Sequence, residues 1–388
     1  MNAATPGPLA RHEPGTAKAW PSDLLPPPFA GGARPGLLDV LRPLVEGPKP
    51  GRDLVVLVDG LGANLLRDHR AFTPTLRRLE AQTQRIRTVA PSTTSSAMVS
   101  LHTGAAPIEH GVLGYLTYDP QTGRSLNQIS GATGTDPHGW MPLPTLVGSG
   151  SRRAVQVGPS RHAASHLSDV AYRGWEFRGH GRSDRVDVVR AALRRAGADG
   201  LVHLHVDDID HAGHRHGVDS EQWRDALAEV DALIGTLLRR LPRGTRIHLT
   251  ADHGMVDTSP ELTTDLADHP RLLRLIHEVS GEARALALHA VRGDGAAEEL
   301  AAELEALLGE RALVLRREDI LASALLGPVG AEVTERVSGR IPDLLVLSRG
   351  RWSVDDFSRR PDSARQMIGV HGSLTAAESW VPLLRTEV

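Results

Sequence analysis

Aspartates and histidines gather at a few points of this chain in patterns that suit metal chemistry. Asp210 and His214 stand four apart in Asp-His-Ala-Gly-His, Asp252 and His253 are adjacent and precede Gly254, and His371 sits in Gly-Val-His-Gly-Ser. Asp59 stands before Gly60. On a helical turn the four-residue spacing puts Asp210 and His214 on one face. Carboxylate oxygen with imidazole nitrogen is a ligand set for zinc and similar divalent cations. Asp59, Asp210, His214, Asp252, His253 and His371 supply three ligands for each of two metals, and two metals ~3.5–4 Å apart clamp an in-line displacement at phosphorus. A nucleophile is on offer in Pro91-Ser92-Thr93-Thr94-Ser95-Ser96. A hydroxyl at a strand-to-helix turn meets a helix N-terminus that favours alkoxide and phosphoryl oxygens, and a coordinated metal lowers its pKa further. Helix capping is the plain alternative for any one of these hydroxyls.

Three apolar runs position the acids. Leu54–Val58 leads into Asp59, Leu201–Val206 into Asp207-Asp208-Ile209-Asp210, and Arg246–Thr250 into Ala251-Asp252-His253. Continuous apolar runs suit strands buried on both faces of a parallel sheet, and ligands of open α/β sheets bind beyond the carboxyl ends of the strands. Further strands are expected at 85–90 and 154–157. Helices are expected over 63–82, from the hydroxyl run through 104, over 186–198 and over 221–241. The alternation predicts an α/β fold, a doubly wound, mostly parallel sheet with helices on both faces. Residues 1–50 read as a Pro/Gly-rich N-terminal arm with a short helix near 36–45. Residues 260–340 read as an inserted α+β cap, with strands at 286–291 and 312–315 and a helix over 295–308. The core comprises 51–259 and 341–388, its main sheet resuming at Leu344–Leu347.

Composition narrows the chemistry. With no cysteine among 388 residues there is no disulfide, thiolate nucleophile or Cys-held metal, so any metal depends on Asp, Glu and the 19 histidines. Lys18 and Lys49 are the only lysines, which discounts lysine catalysis. A net charge of −3 gives no reason to expect nucleic-acid binding. No run approaches the ~20 apolar residues of a membrane span, and the first residues do not read as a secretory signal, so the expected location is cytoplasmic and away from membranes. The remaining candidates have plainer readings. His203 and His205 pack within the sheet or bond a neighbour, and His110 is structural. Asp207 and Asp208 lie near the acidic turn without the better spacing of Asp210. His211 and His216 face solvent or support a ligand, Asp257 and His269 stand low as cleft residues, and Arg152, Arg153, Arg359 and Arg360 are solvated surface.

In chain order, Asp59-Gly60, Pro91–Tyr115, Asp210–Gly217, Ala251–Met255 and Gly369–Ser373 form a set of motifs that resembles the type I phosphodiesterase/nucleotide pyrophosphatase family of the alkaline phosphatase superfamily, over Asp53 to Ser373. The resemblance implies an alkaline-phosphatase-like core and a metal-dependent hydrolase of phosphate esters, acting on a phosphodiester or nucleotide pyrophosphate. It implies Thr94 as nucleophile, ten residues before Gly104, with Thr93 as the alternative. One metal is then held by Asp210, His214 and His371, the other by Asp59, Asp252, His253 and the Thr94 oxygen, both being zinc. In-line attack forms a phospho-threonine, which water hydrolyses with net retention. The chain departs from animal members at Ala97, where they carry an Asn that contacts a phosphate oxygen. Rival readings are a phosphomonoesterase or phosphonate hydrolase on the same core, a phosphoglycerate-mutase-like transferase, and a non-catalytic metal- or phosphate-binding module.

Overall fold

A computed structural model describes residues 20–47, 51–132 and 134–388. The expectations for 1–19 and 48–50 of the arm lie outside the described residues. The described part of the arm forms a tight 3-10 turn over Gly36–Asp39 and a short α-helix over Arg42–Glu46, near the expected 36–45, and Leu37, Leu38 and Leu41 are buried in the main core.

Seven strands make the main sheet, in the spatial order Thr83–Arg87, Trp380–Glu387, Arg246–Thr250, Asp53–Val58, Leu201–Val206, Ala154–Pro159 and Glu176–His180. The last five run parallel, and only Trp380–Glu387 runs against both its neighbours. Every residue of Asp53–Val58 and Leu201–Val206 is buried, which is why these runs do not alternate. The helix Glu221–Arg240 buries Trp223, Leu227, Val230, Ile234 and Leu237, one stripe at helical spacing. It starts at Ser220, whose hydroxyl accepts the Trp223 N–H at 3.1 Å.

The helix expected over 63–82 is broken into Ala63–Asp68 and Pro74–Arg78, with single tight turns at Arg70–Phe72 and Glu80–Gln82. Pro74 has no N–H and disfavours a helical Thr73. The restart is secured from outside, because buried Asp231 of the long helix accepts the N–H groups of Thr75 and Leu76 at 3.0 and 2.8 Å.

A second, antiparallel sheet has the order Ala312–Arg316, Leu344–Ser348, Ala285–Ala290, Ile276–Glu282, Leu116–Asp119 and Arg124–Asn127. Leu344–Ser348 therefore does not rejoin the main sheet. It pairs with Ala285–Ala290 and Ala312–Arg316, and Leu344 and Val346 join Leu286, Leu288, Leu300 and Leu304 in a separate apolar cluster. The hairpin 116–127 comes from far upstream, so this sheet is not drawn from 260–340 alone. No described helix is long and apolar enough to cross a membrane.

At the opposite end of the main sheet from its acidic turns, Asp53 is fully buried among Arg152 (2.6 Å), Arg246 (2.6 Å) and His248 (2.8 Å). Arg152 is thus not solvated surface, since its side chain is 6% exposed. Burial pushes the Asp53 carboxyl up, but His248, Arg246 and Arg152 outweigh it and hold it at about 2. A depressed carboxylate stabilises the fold above its unfolded pKa, so this contribution is present above pH ~4 and lost as pH falls toward 2. Asp53→Ala strands buried positive charge and is expected to cost ~3–5 kcal/mol, measured as a lower urea midpoint at neutral pH. An unchanged midpoint would show the cluster to be energetically neutral.

Candidate metal centre

The parallel register pairs Val58 with Val206 and Leu57 with Thr250, so the three acidic turns leave the sheet at one edge. Asp210 and His214 lie one turn apart on the helix Asp208–His216, with His214 Nε2 3.3 Å from Asp210 Oδ1. The short strand Gly369–Val370 pairs with Val256–Asp257, just beyond Asp252-His253. That pairing brings His371 in from the far end of the chain, its Nε2 4.0 Å from the same Asp210 oxygen. The His253 and His371 rings stack at 3.6 Å.

Two groups of potential ligand atoms result, each within 4.8 Å: Asp210, His214 and His371, and Asp59, Asp210 and His253. Asp252 stands beside the second group, its Oδ2 3.4 Å from His253 Nε2, while its Oδ1 accepts the N–H groups of Gly60 and His253 at 3.2 and 3.0 Å. The compact second group therefore contains Asp210, which the resemblance assigned to the other metal alone.

Each histidine is oriented through its other nitrogen. The Nδ1 atoms of His214, His371 and His253 lie 2.8, 3.0 and 3.0 Å from the carbonyl oxygens of Gly369, Ser92 and Gly254. A carbonyl only accepts, so each Nδ1 carries a proton and Nε2 is the atom turned to the cluster, where a bound cation would take its lone pair. Asp210 Oδ1 and Asp252 Oδ2 are buried without a hydrogen-bond donor among the described residues. Nε2 atoms and acceptor-only oxygens turned toward one another are a donor set that fits one or two cations.

The electrostatics reflect that crowding. Burial, then Asp252, Asp210 and Asp207, push the Asp59 carboxyl well above its ordinary range. Burial also opposes the Asp210 charge, but His214 one turn away outweighs it and holds that carboxyl far below the usual value, while Asp210 in turn raises the His214 imidazole against burial. Burial, followed by the neighbouring His253 and His214, keeps the His371 imidazole neutral, the form that binds metal.

Thr94 is the first residue of the helix Thr94–Thr103. Its Oγ1 lies 3.0 Å from His253 Nε2 and 3.4 Å from Asp59 Oδ1. The hydroxyl run does not cap this helix, since Thr93 in the capping position makes no side-chain cap bond. Ser92 instead donates to the Ser373 carbonyl at 2.7 Å, Ser95 to Gly114 at 2.8 Å and Ser96 to Val112 at 3.0 Å, lashing the helix start to the loops around the cluster. His110 is structural, held between Ser100 Oγ (2.9 Å) and the Val112 N–H (3.1 Å).

His205 has more than a packing role. Its Nε2 meets Asp59 Oδ2 at 3.1 Å and fixes that carboxylate. The signal was available, because the parallel register sets His205 against Leu57, two residues before Asp59. His203 packs against the rings of His102, Tyr172 and Trp175. Asp207 pairs with Arg161 and Asp208 with Arg185, and His211 and His216 are exposed. Asp257 accepts the Val218 N–H at 2.7 Å, and neither it nor His269 lines the cavity.

A cavity of about 1210 Å³ opens over the cluster, reaching Asp59, Thr94, Asp210, His214 and His371. The second sheet and residues 353–368 form further walls. Tyr115, Tyr172 and Phe357 supply aromatic surface that composition alone could not locate. Arg360, expected as solvated surface, lines this cavity with its side chain 7% exposed.

A mostly parallel sheet with Asp and His side chains converging at its carboxyl edge defines an α/β protein with a candidate metal centre. The sequence model for "Type I phosphodiesterase / nucleotide pyrophosphatase" matches residues 54–374, and the chain belongs to that family. An uncharacterized pyrophosphatase/phosphodiesterase of Schizosaccharomyces pombe is 27% identical over 220 residues, 53% of this chain and 45% of its own length. The chain thus spans less than half of that relative. Among solved structures, murine ectonucleotide pyrophosphatase / phosphodiesterase 5 superposes with a TM-score of 0.67 at 18% identity, covering 86% of this chain and 87% of that one. Phosphonoacetate hydrolase from Sinorhizobium meliloti, in complex with phosphonoacetate, gives 0.64 at 19%, covering 88% and 92%. At these identities the likeness is one of fold.

Proposed function

We propose that the chain is a two-metal phosphoesterase that cleaves a phosphodiester or nucleotide pyrophosphate bond through a phospho-threonine intermediate. The observation that carries this reading is the Thr94 hydroxyl, 3.0 Å from His253 and 3.4 Å from Asp59 at the start of a helix. Asp210, His214 and His371 would hold one metal, and Asp59, Asp252, His253 and the Thr94 oxygen the other. Zinc suits the mixed nitrogen and oxygen donors. Bound there, the cations would polarise the phosphoryl oxygens and acidify the hydroxyl.

The chain's own residues do the rest. His205 holds Asp59 in place beside the hydroxyl. The Thr94 oxygen attacks phosphorus as the bond from phosphorus to the leaving oxygen breaks. The threonine proton passes to cavity water, and the leaving oxygen takes a proton from that water and departs as an alcohol or phosphate. A water then displaces the Thr94 oxygen from phosphorus, and that oxygen regains its proton. Ala97 is fully buried and apolar, so the free N–H groups of the helix start take up phosphoryl charge in place of an asparagine. A nucleotide as substrate draws on the murine neighbour, which was also solved as an inactive variant in complex with AMP. Phosphonate hydrolysis is the second reading, favoured by the nearly equal likeness to phosphonoacetate hydrolase.

Rates of the zinc-loaded protein on a chromogenic phenyl phosphodiester, the matching monoester and phosphonoacetate separate these readings. The diester is expected to be fastest, and a preference for phosphonoacetate would install the second reading. His371→Ala is expected to lower bound metal from two equivalents to one by mass spectrometry. Two equivalents in that variant would remove His371 from the ligand set.

A further inference from the structure

Two polar groups on the cavity wall have atoms without a partner. Glu282 ends the strand Ile276–Glu282 and lines the cavity. Its Oε2 accepts the Tyr115 N–H at 2.7 Å, whereas Oε1 is buried and bonded to nothing among the described residues. The side chain is wedged between two glycines: a Cβ on Gly372 would stand 2.8 Å from its Cγ and 2.9 Å from Oε1, and one on Gly114 3.3 Å from Oε2. Gly372 follows His371, and Tyr115 closes the stretch that begins beside Thr94. The carboxyl is therefore built into the junction of the nucleophile loop and a metal loop. Burial pushes it up to about 8 against the pull of the Tyr115 N–H and the Arg360 charge, leaving an acid that both donates and accepts at neutral pH.

Arg360 is the second group. Its Nε bonds both oxygens of Asp355 at 2.8 and 3.0 Å, while Nη2 is buried with no partner among the described residues. The other cations of this wall are matched as well, Arg365 by Asp265 at 2.9 Å and Arg359 by Asp356 at 3.0 Å with Glu278 at 3.7 Å. The wall thus holds no surplus positive charge for a second phosphate. What it lacks is a neutral group that accepts from Nη2–H and exchanges a hydrogen bond with the Glu282 carboxyl.

We propose that Glu282 and Arg360 form a leaving-group subsite for a neutral, hydroxylated moiety, so that the favoured substrates are phosphodiesters of polyols or sugars rather than pyrophosphates. Ligand hydroxyls accept from Arg360 Nη2–H and exchange a hydrogen bond with Glu282 Oε1, so that each orphan gains a partner. This rests on the phosphoesterase reading and narrows its substrate class.

Calorimetric binding of glycerol 3-phosphate and of methyl phosphate to the zinc-loaded protein tests it without turnover. Glycerol 3-phosphate is expected to bind about tenfold tighter or more. Glu282→Leu and Arg360→Lys, the second of which keeps a cation beside Asp355, are each expected to bring the ratio toward unity, whereas Glu282→Gln keeps it. Equal binding of the two phosphates to the wild type would overturn the subsite, as would an undiminished ratio in both variants. If methyl phosphate fails to bind the wild type, the two-metal reading has failed and the subsite falls with it, a result distinct from equal binding.

Discussion

Thr94→Ala is expected to lower turnover of a phosphodiester by on the order of 10⁴-fold or more, the scale on which a lone nucleophile fails, while both metal equivalents stay bound. The carboxylate and imidazole ligands of both metals are untouched by the change, and only the hydroxyl between His253 and Asp59 is lost. Thr94→Ser keeps the oxygen and retains measurable rate. Thr93→Ala separates the neighbours, since the Thr93 hydroxyl makes no bond to the cluster and its substitution leaves a working nucleophile in place. Loss of rate in Thr93→Ala with rate kept in Thr94→Ala would move the nucleophile one residue back. Acid-quenched enzyme caught in mid-turnover should carry phosphate on threonine in the wild type and none in Thr94→Ala.

Asp59→Asn should show opposite effects on activity and on stability without metal. A metal at the hydroxyl contributes several kcal/mol of charge stabilisation, so weakening its hold is expected to cost about 10³-fold in rate. In chelated protein the same carboxyl is a burden, pushed up by burial and by Asp252, Asp210 and Asp207. A folded carboxyl with a raised pKa binds a proton that the unfolded chain gives up, so stability falls as pH rises above the unfolded value near 4. Asp59→Asn removes this loss, and the chelated variant is expected to melt above chelated wild type at pH 7 but not at pH 4. A lower melting temperature at pH 7 would show that Asp59 is structural rather than held under strain for function. Metal should reverse the order, because the ligands then have the charge they are arranged around.

Much of this was legible in the chain because the parallel strands carry a double signal, continuous apolar residues followed at once by acids. The strands Leu201–Val206 and Arg246–Thr250 fall on the residues where the apolar runs place them, and the acidic turns after them meet because parallel strands share one carboxyl edge. The second sheet was not legible. Leu344–Ser348 has the same all-buried, apolar character as a main-sheet strand, and nothing in five such residues says which sheet it joins. Its partners are Ala285–Ala290 and Ala312–Arg316, and packing with Leu286 and Leu300 holds it among them. Arginines mislead for a related reason. Arg152 and Arg360 look like surface charge, yet each is buried by one carboxylate, Asp53 or Asp355, that only the fold brings near. His205 was half legible, since its strand position allowed packing or a bond to a neighbour, and only the register with Asp53–Val58 makes Asp59 that neighbour.

The central claim is a pair of cations held by these side chains with the Thr94 oxygen at one of them. Anomalous scattering from zinc-soaked crystals tests it most directly. The account predicts two peaks, one among Asp210, His214 and His371 and one among Asp59, Asp252, His253 and Thr94. A single peak, or metal bound away from Thr94, would contradict it.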